Sequence, residues 1–321
     1  MKFDSFILFL LVSIGIAYFF PQLALYQDGE LLSSITTAGV FMIFFFYGLK
    51  LSFNEIRVGL SNWRLHVVVQ LATFLIFPLV VLLFKPFVQS AVQENFWLSF
   101  FFLATLPSTV SSSVVMVSIA KGNIPAAIFN ASISGLIGVL VTPLWMALFL
   151  DFQSEQILSN VYTGLLLEII LPVLMGLFLQ RYWGGWASKY GKLLTKFDKL
   201  VILLIVYSSF AESFSSGIFD NISRSYLLNI FLGVILLFVF IYMALHIWCT
   251  RLIKMNRADT ITAVFCGSKK SLTHGSVFGK FLFAGNPNAA LFYLPLMVFH
   301  AFQIFVVTII AQRLQRESHV D

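Results

Sequence analysis

Charge is the scarcest property of this sequence. Only 11% of its 321 residues are Asp, Glu, Lys or Arg, whereas 59% are apolar and the mean hydropathy is +0.93. A soluble domain of ordinary composition carries about 25% charged residues. The scarcity therefore excludes a single soluble domain, and the 37 phenylalanines suit helices that face lipid.

Cysteine is nearly absent, and metal-binding and nucleotide-binding patterns are missing. Cys249 and Cys266 lie in separate apolar stretches without a C-x-x-C pattern, which argues against a disulfide framework and a zinc site. His66, His246 and His300 show no metal-ligand spacing, and no H-E-x-x-H motif occurs. The sequence also has no phosphate-binding P-loop. We therefore predict no metal, no cofactor, no ATP-driven pump and no intramembrane enzyme.

Long apolar runs fill the chain instead. About 20 apolar residues cross a bilayer as a helix, and these runs predict an all-α membrane protein with ten transmembrane helices. The first run lacks the small-x-small cleavage site of a secretory signal peptide, so we interpret it as a span. The predicted spans are 5–20, 34–52, 63–84, 95–119, 123–150, 161–183, 197–216, 225–249, 258–283 and 287–312.

The basic residues predict the orientation of these spans, because cytoplasmic loops of membrane proteins are enriched in Lys and Arg. With the N-terminus in the cytoplasm, fifteen of the twenty Lys and Arg residues fall on the inner side, and Lys85, Arg224 and Lys280 fall on the outer side. We therefore predict cytoplasmic termini in a bacterial inner membrane. Because the basic residues are scattered between spans, the net charge of +6 indicates the lipid bilayer as a partner and no nucleic acid.

Ten spans divide into two halves of five, residues 1–155 and 156–321. A unit with an odd number of spans, repeated in tandem, must have the opposite orientation in its second copy. This is the inverted-repeat plan of many secondary transporters, whose sites form at discontinuous helices. The sequence therefore predicts a 5+5 inverted repeat with interrupted fourth and ninth helices.

The fourth and ninth spans contain the two most polar stretches of the predicted membrane region. The fourth includes "LPSTVSSSVVMVSIAKGN", in which Pro107 removes a helical donor, and the ninth includes "CGSKKSLTHG". Unwound backbone is tolerated at membrane depth only where protein or a cavity surrounds it, so we expect the two breaks to face each other. The alternative is that Pro107 only kinks its helix and the serines bond back to carbonyls of the preceding turn.

These polar stretches also carry a resemblance to a known family. "LPSTVSSSVVMVSIAKGNIPAAIFNASISG", with the later "TPLW", resembles the bile acid:sodium symporter superfamily. "FCGSKKSLTHGSVFGKFLF" resembles its bacterial branch, which is related to vertebrate and yeast proteins implicated in calcium homeostasis. The resemblance covers essentially the whole chain. It implies a panel domain from spans 1, 2, 6 and 7 and a core domain from spans 3–5 and 8–10, with broken helices 4 and 9 crossing in the core.

The sequence departs from the sodium-dependent members of that superfamily. Their ninth span carries a glutamate and then a Gln-Asn pair, which supply oxygen ligands to sodium. An ungapped alignment places Cys266 at the glutamate and Lys270 and Ser271 at the pair. The Ser-Asn pair of their fourth span falls near Ser112 to Val114, and its asparagine is missing. Because an ammonium group repels a cation, the resemblance does not support sodium coupling.

Lys269 and Lys270 stand side by side inside the ninth span. A Lys at the centre of a membrane helix costs about 2.5–3.5 kcal/mol on insertion scales, so such residues face the protein interior and have partners. Neighbouring helical positions point about 100° apart, so we expect the two to differ in role. We hypothesise that Lys270 replaces a bound sodium ion, either as a fixed charge or as a proton-coupling group. Glu168 in span 6 is the preferred partner, and the alternative is a buried ion-pair network that serves folding alone.

The predicted substrate or ion site combines hydroxyl, amide, thiol and charged side chains. Its members are Ser108, Thr109, Ser111, Ser112, Ser113, Asn130, Ser132, Ser134, Glu168, Cys266, Ser268, Lys269, Lys270, Ser271, Thr273 and His274. Asn130, Ser132 and Ser134 either extend a substrate cavity or serve as ordinary helix contacts. His274 is interpreted as a helix-contact donor.

The sequence thus predicts a secondary transporter that moves a small solute by alternating access. An organic anion is the favoured solute, because an ammonium group and half-helix N-termini attract anions; the coupling ion is a proton or sodium. Two alternatives stay open at this point. One is a membrane regulator of calcium or other ion homeostasis that transports nothing itself, and the other is a sodium-coupled symporter. Direct calcium transport is disfavoured because the acidic oxygen cluster of a calcium site is missing.

Overall fold

The chain is almost entirely helical. A computed structural model describes residues 5–26, 30–50, 62–109, 111–150, 163–164, 166–215, 217, 223–286 and 288–317. Within these ranges the regular structure is helical, without a strand. The α-helices, numbered along this part of the chain, are α1 (Ser5–Phe19), α2 (Glu30–Lys50), α3 (Trp63–Leu71), α4 (Phe77–Leu82), α5 (Ala91–Thr105), α6 (Ser111–Ile119), α7 (Ile124–Ala147), α8 (Leu171–Lys189), α9 (Gly191–Ser215), α10 (Arg224–Ile247), α11 (Arg257–Gly267), α12 (Leu272–Leu282) and α13 (Ala289–Glu317).

Six helical stretches of the described residues are long and apolar enough to cross a membrane, which makes the chain a multi-pass membrane protein. They are Glu30–Lys50, Trp63–Phe87, Ile124–Ala147, Leu166–Lys189, Arg224–Leu252 and Ala289–Glu317. The predicted fourth and ninth spans form no continuous helix. Helix α5 ends at Thr105 before α6 begins at Ser111, and α11 ends at Gly267 before α12 begins at Leu272.

The chain forms two compact units, each assembled from separate segments. The first unit comprises residues 1–51, 150–224 and 276–293, and the second comprises 52–149, 225–275 and 294–321. Helices α1, α2, α8 and α9 belong to the first unit, and α3 to α7, α10 and α11 belong to the second. The junctions fall inside α12 and α13, so these two helices contribute to both units.

Glycines set the helix packing of the first unit. A Cβ atom on Gly48 of α2 would lie 2.2 Å from the Val173 carbonyl oxygen, and one on Gly176 of α8 would lie 2.1 Å from the Phe45 carbonyl oxygen. Small residues let membrane helices approach this closely. The two backbones therefore touch where these glycines cross, and beside them lies an apolar cluster. Its buried members are Phe45, Phe46, Leu49, Ala187 and Leu194.

A π-helical turn interrupts the first long helix of the second unit. Residues Ala72–Ile76 form this turn between α3 and α4, and Pro78 follows in the first turn of α4. Proline has no N–H, so it leaves a carbonyl of the preceding turn without a helical donor. The indole of Trp145 compensates by donating to the Phe74 carbonyl oxygen at 2.9 Å. The Thr73 carbonyl in the same turn also lacks a helical donor.

Candidate functional site

The two helix breaks of the second unit contact each other directly. The first break follows α5 at Leu106, and the second occupies residues 268–271 between α11 and α12. The Ser271 backbone N–H donates to the Pro107 carbonyl oxygen at 2.9 Å. The Ser108 hydroxyl donates to the carbonyl oxygen of Cys266. Each break therefore supplies hydrogen-bond partners for backbone groups that the other leaves outside a helix.

Lys270 is the central side chain of this contact. It is fully buried, and its ammonium donates three hydrogen bonds to backbone carbonyl oxygens. These oxygens belong to Thr73 at 2.7 Å, Ala104 at 2.6 Å and Leu106 at 2.8 Å. The nitrogen also lies 4.1 Å from the ring centroid of Phe77, within the range of a cation–π contact.

Two of these carbonyls, those of Thr73 and Ala104, lack their helical donors beside two prolines. Phe77 N–H donates to Ala72, as a π-turn requires, and Pro78 has no N–H, so neither serves Thr73. Ala104 would be paired with Ser108 in a continuous helix. However, the chain leaves α5 ahead of Pro107, and Ser108 N–H donates instead to the Ser134 hydroxyl at 3.0 Å. Unpaired buried carbonyls are costly, and the Lys270 ammonium supplies the donors that they lack.

Gln303 of α13 fixes the backbone of Lys270. Its side-chain Oε1 accepts from Lys270 N–H at 2.8 Å, and its Nε2 donates to the Lys270 carbonyl oxygen at 2.7 Å. Gln303 is fully buried. The amide therefore replaces both helical hydrogen bonds of a residue that lies between two helices.

Lys269 has the opposite environment. It is 1% exposed, yet its Nζ has no hydrogen-bond partner among the described residues, and the hydroxyl of Ser268 has none there either. The ammonium interacts electrostatically with the Cys266 thiol, which in turn hydrogen-bonds Ser113 in the first turn of α6. Lys269 thus lies next to the N-terminal end of a half-helix without an acid beside it in the described part of the chain.

A short chain of hydroxyls lines that helix end. Thr109 Oγ1 lies 2.8 Å from Ser113 Oγ and accepts from Ser112 Oγ at 2.9 Å. Ser111 begins α6, and its side chain lies outside the described residues. These hydroxyls bond mainly to one another, so they can turn to accept from or donate to a ligand.

Two further groups of predicted site residues serve helix packing. Asn130 accepts from Gln70 Nε2 at 3.2 Å and donates to the Ala126 carbonyl oxygen, which joins α7 to α3. Ser271 caps α12, because its hydroxyl accepts from His274 N–H and lies 3.0 Å from His274 Nδ1. Ser132 and Thr273 are half-buried.

Glu168 is not a partner of Lys270. All three hydrogen bonds of the Lys270 ammonium go to carbonyl oxygens, so the expected carboxylate pairing is wrong for this lysine. Glu168 belongs to the first unit, where it interacts electrostatically with Lys280. Sequence reasoning also missed Thr73, Phe77 and Gln303. Pro78 within an apolar span and the amide of Gln303 in the middle of the tenth predicted span were the features that could have indicated them.

The described residues contain no group of three His, Cys, Asp or Glu side chains that could hold a metal ion. The site instead consists of two interrupted helices that exchange backbone hydrogen bonds around buried ammonium groups. Discontinuous helices of this kind are the sites of secondary transporters. The class of protein is therefore a helical membrane transporter.

The comparison with known proteins identifies the family. Residues 4–316 match the SBF-like CPA transporter family, and the chain belongs to it. The chain is 35% identical to protein PA2026 of Pseudomonas aeruginosa over 98% of its length and 93% of that protein. It is 34% identical to YfeH of Escherichia coli over 98% and 94% of the two chains. It is 30% identical to sodium/bile acid cotransporter 7 of Xenopus tropicalis over 86% and 81%.

Proposed function

We propose that this protein is a carrier that moves a small organic anion across a bacterial inner membrane by alternating access, without a bound sodium ion. The carrier has ten spans in a 5+5 inverted repeat, and both termini are cytoplasmic. The distribution of Lys and Arg supports this topology. Two compact units support the division into panel and core domains. The unit that corresponds to the panel holds α1, α2, α8 and α9, and the unit that corresponds to the core holds α3 to α7, α10 and α11.

The observation that carries the proposal is the environment of Lys270. Three carbonyl oxygens surround its ammonium at hydrogen-bonding distance. Oxygen ligands of this kind also suit a bound alkali cation, for which the ammonium is a covalently attached substitute. The charge is permanent, because three acceptors require the three donors of an ammonium, whereas a neutral amine has two. Of the two roles considered for Lys270, we therefore propose the fixed charge.

Lys269 supports an anionic solute. Its buried ammonium has no hydrogen-bond partner among the described residues, and it reaches the first turn of α6 through Cys266 and Ser113. Helix N-termini offer unpaired N–H groups and a positive dipole end to anions. A carboxylate or similar group bound here would interact favourably with both the Lys269 ammonium and the N-terminal end of α6. Thr109, which precedes α6, and Ser112, in its first turn, provide hydroxyls at this helix end.

The relatives raise the question of sodium. The Xenopus relative is named as a sodium/bile acid cotransporter, which places a bile-acid-like anion among the first solutes to test. Sodium dependence does not follow for this chain, because Lys270 fills an oxygen-lined position with its own cation. A carrier differs from a regulator of ion homeostasis by measurable flux, so reconstituted vesicles separate these two functions.

The test compares melting temperatures in sodium chloride and choline chloride for the wild type and for Lys270→Ala. We expect no sodium-specific shift in the wild type. The variant leaves three carbonyls without a donor, and sodium bound to them raises its melting temperature. A ligand at a hundredfold excess over its Kd contributes about 2.7 kcal/mol. A saturable sodium shift in the wild type would contradict the proposal and restore sodium symport.

A second measurement addresses transport. Vesicles containing the wild type should take up a labelled organic anion, and Lys269→Gln should reduce that uptake because it removes the buried positive charge. Ser118→Ala, an exposed change on α6, is the matched control. Vesicles without flux of any tested anion would favour the regulator.

A further inference from the structure

A groove of about 500 Å³ lies in the first unit, and none of its lining residues belongs to the helix breaks. Its polar lining consists of the hydroxyl groups of Ser33, Ser34 and Thr37 on α2 and the carboxyl group of Glu168. The remaining lining is apolar side chains of α2. The groove therefore brings the carboxyl group of Glu168 together with three hydroxyl groups of α2, and α2 is apolar enough to span a membrane.

Glu168 is held in an unusual local structure. It lies in a π-helical turn, Leu166–Ile170, which precedes α8, and such turns recur at functional sites. The residue is half-buried, but its Oε2 atom is fully buried and has no hydrogen-bond partner among the described residues. A buried carboxylate oxygen without a donor is costly. A bound proton removes its charge and makes the oxygen a donor.

Lys280 supplies the charge opposite to that of Glu168, but its hydrogen bond goes to another residue. Its Nζ donates to Thr37 Oγ1 at 2.6 Å on the groove wall, and it interacts electrostatically with Glu168. The groove stretch of α2, residues 33–42, and the start of α8, residues 171–179, contain no titratable side chain. Lys280 is therefore the charge, within the described residues, that acts on Glu168 from the surrounding elements.

We infer that Glu168 is the proton-binding site that couples this carrier to a proton gradient, an assignment that rests on the proposed carrier function. Lys270 holds a permanent charge and exchanges no ion, so coupling requires another group. In the loading step a proton from water binds Oε2, forms an O–H bond and neutralises the carboxylate. In the release step that bond breaks, the proton returns to water, and the carboxylate again faces the charge of Lys280. Lys280 stays on Thr37 throughout, so neither step breaks an ion pair.

The test is chemical labelling of the purified full chain with a hydrophobic carbodiimide, which adds to protonated carboxyl groups. Peptide mass spectrometry measures the modified fraction of Glu168 from acidic to alkaline pH. We expect modification at acidic pH that declines as the pH rises. Lys280→Met should move the decline toward alkaline pH by about one unit, because an opposite charge favours the ionised acid and its removal favours the protonated one. Glu212, an exposed acid of α9 in the same unit, is the internal control, and its profile should not move.

Two results would overturn the assignment. One is a Glu168 that stays unmodified at acidic pH while Glu212 reacts, and the other is an identical profile in the wild type and Lys280→Met. Labelling needs no solute, so it separates this inference from the proposed function. A pH-dependent Glu168 in a protein without solute flux refutes the carrier and leaves the proton site standing. Solute flux that ignores a proton gradient refutes the coupling and leaves the carrier standing.

Discussion

The two helix breaks of the second unit contribute unequally to the hydrogen bonds between them: the first mainly accepts and the second mainly donates, apart from the Ser108 hydroxyl, which donates to the Cys266 carbonyl oxygen. The first break presents acceptors, namely the carbonyl oxygens of Ala104 in the last turn of α5 and of Leu106 and Pro107 beyond its end. The second break presents donors, which are the ammonium of Lys270 and the N–H of Ser271. The exchange shows that a lysine side chain of one interrupted membrane helix can satisfy backbone carbonyls of another.

The two adjacent lysines of the second break extend this comparison. Lys270 has three carbonyl partners and an aromatic ring, whereas Lys269 has no hydrogen-bond partner in the described part of the chain. Both are almost completely buried. A buried ammonium with partners contributes to stability, and one without partners costs stability. We therefore expect Lys270 to maintain the fold and Lys269 to bind a ligand.

The largest effect is expected from Lys270→Met. The side chain keeps its length and loses its charge, so the carbonyls of Thr73, Ala104 and Leu106 lose their donor. Orphaned buried acceptors cost about 1–3 kcal/mol each, and the free energy of unfolding should fall by about 3 kcal/mol or more. Chemical unfolding in detergent measures this. Lys269→Met is the matched control and should leave the value unchanged or raise it. Equal losses in the two variants would break the comparison between the lysines.

An intermediate effect is expected from Gln303→Leu. This change removes both side-chain hydrogen bonds to the backbone of Lys270, each of which contributes about 1 kcal/mol. The unfolding free energy should therefore fall by about 2 kcal/mol. Thr308→Val on the same helix is the control, because the Thr308 hydroxyl bonds the Ile304 carbonyl of its own helix at 2.6 Å and has only a long contact, 3.6 Å, to the Met116 sulfur of α6. A Gln303 variant as stable as the Thr308 variant would show that the second break holds its shape without α13.

The smallest effect is expected from Ser134→Ala. Ser108 N–H, a donor of the first break, donates to the Ser134 hydroxyl of α7 and not to the second break. Its loss should cost about 1 kcal/mol of unfolding free energy. Ser118→Ala, at an exposed position of α6, provides the baseline. If Ser134→Ala equalled Lys270→Met in cost, the bond to α7 would matter as much as the exchange between the breaks.

Part of the site could be predicted from the sequence. The stretch after Pro107 and the stretch around Lys269 and Lys270 stood out because a cluster of hydroxyl residues and a pair of adjacent charges interrupt otherwise apolar spans, and both stretches proved to lie at helix interruptions. The partners of Lys270 could not be read in the same way. They are backbone carbonyls, which every residue has, and for Thr73 and Ala104 only the loss of helical donors near Pro78 and Pro107 distinguishes them.

Glu168 illustrates the other limit of sequence reasoning. It is one of few acids within the spans, so electrostatics favoured pairing it with the conspicuous lysines. The structure instead sets it beside Lys280, a residue that the charge pattern had counted with the outer side. Residues that are distant in the chain meet through helix packing, and a list of charges does not contain that packing.

By itself the sequence determined that this is a multi-pass helical membrane protein with polar interruptions in two spans, because bilayer thickness and the cost of buried charge act on local composition. Only the tertiary structure decided which lysine is satisfied and which is not. Both sit in the same break with the same chemistry. The difference arises because unpaired carbonyls of α3–α4 and α5 converge on Lys270, while Lys269 points toward the end of α6.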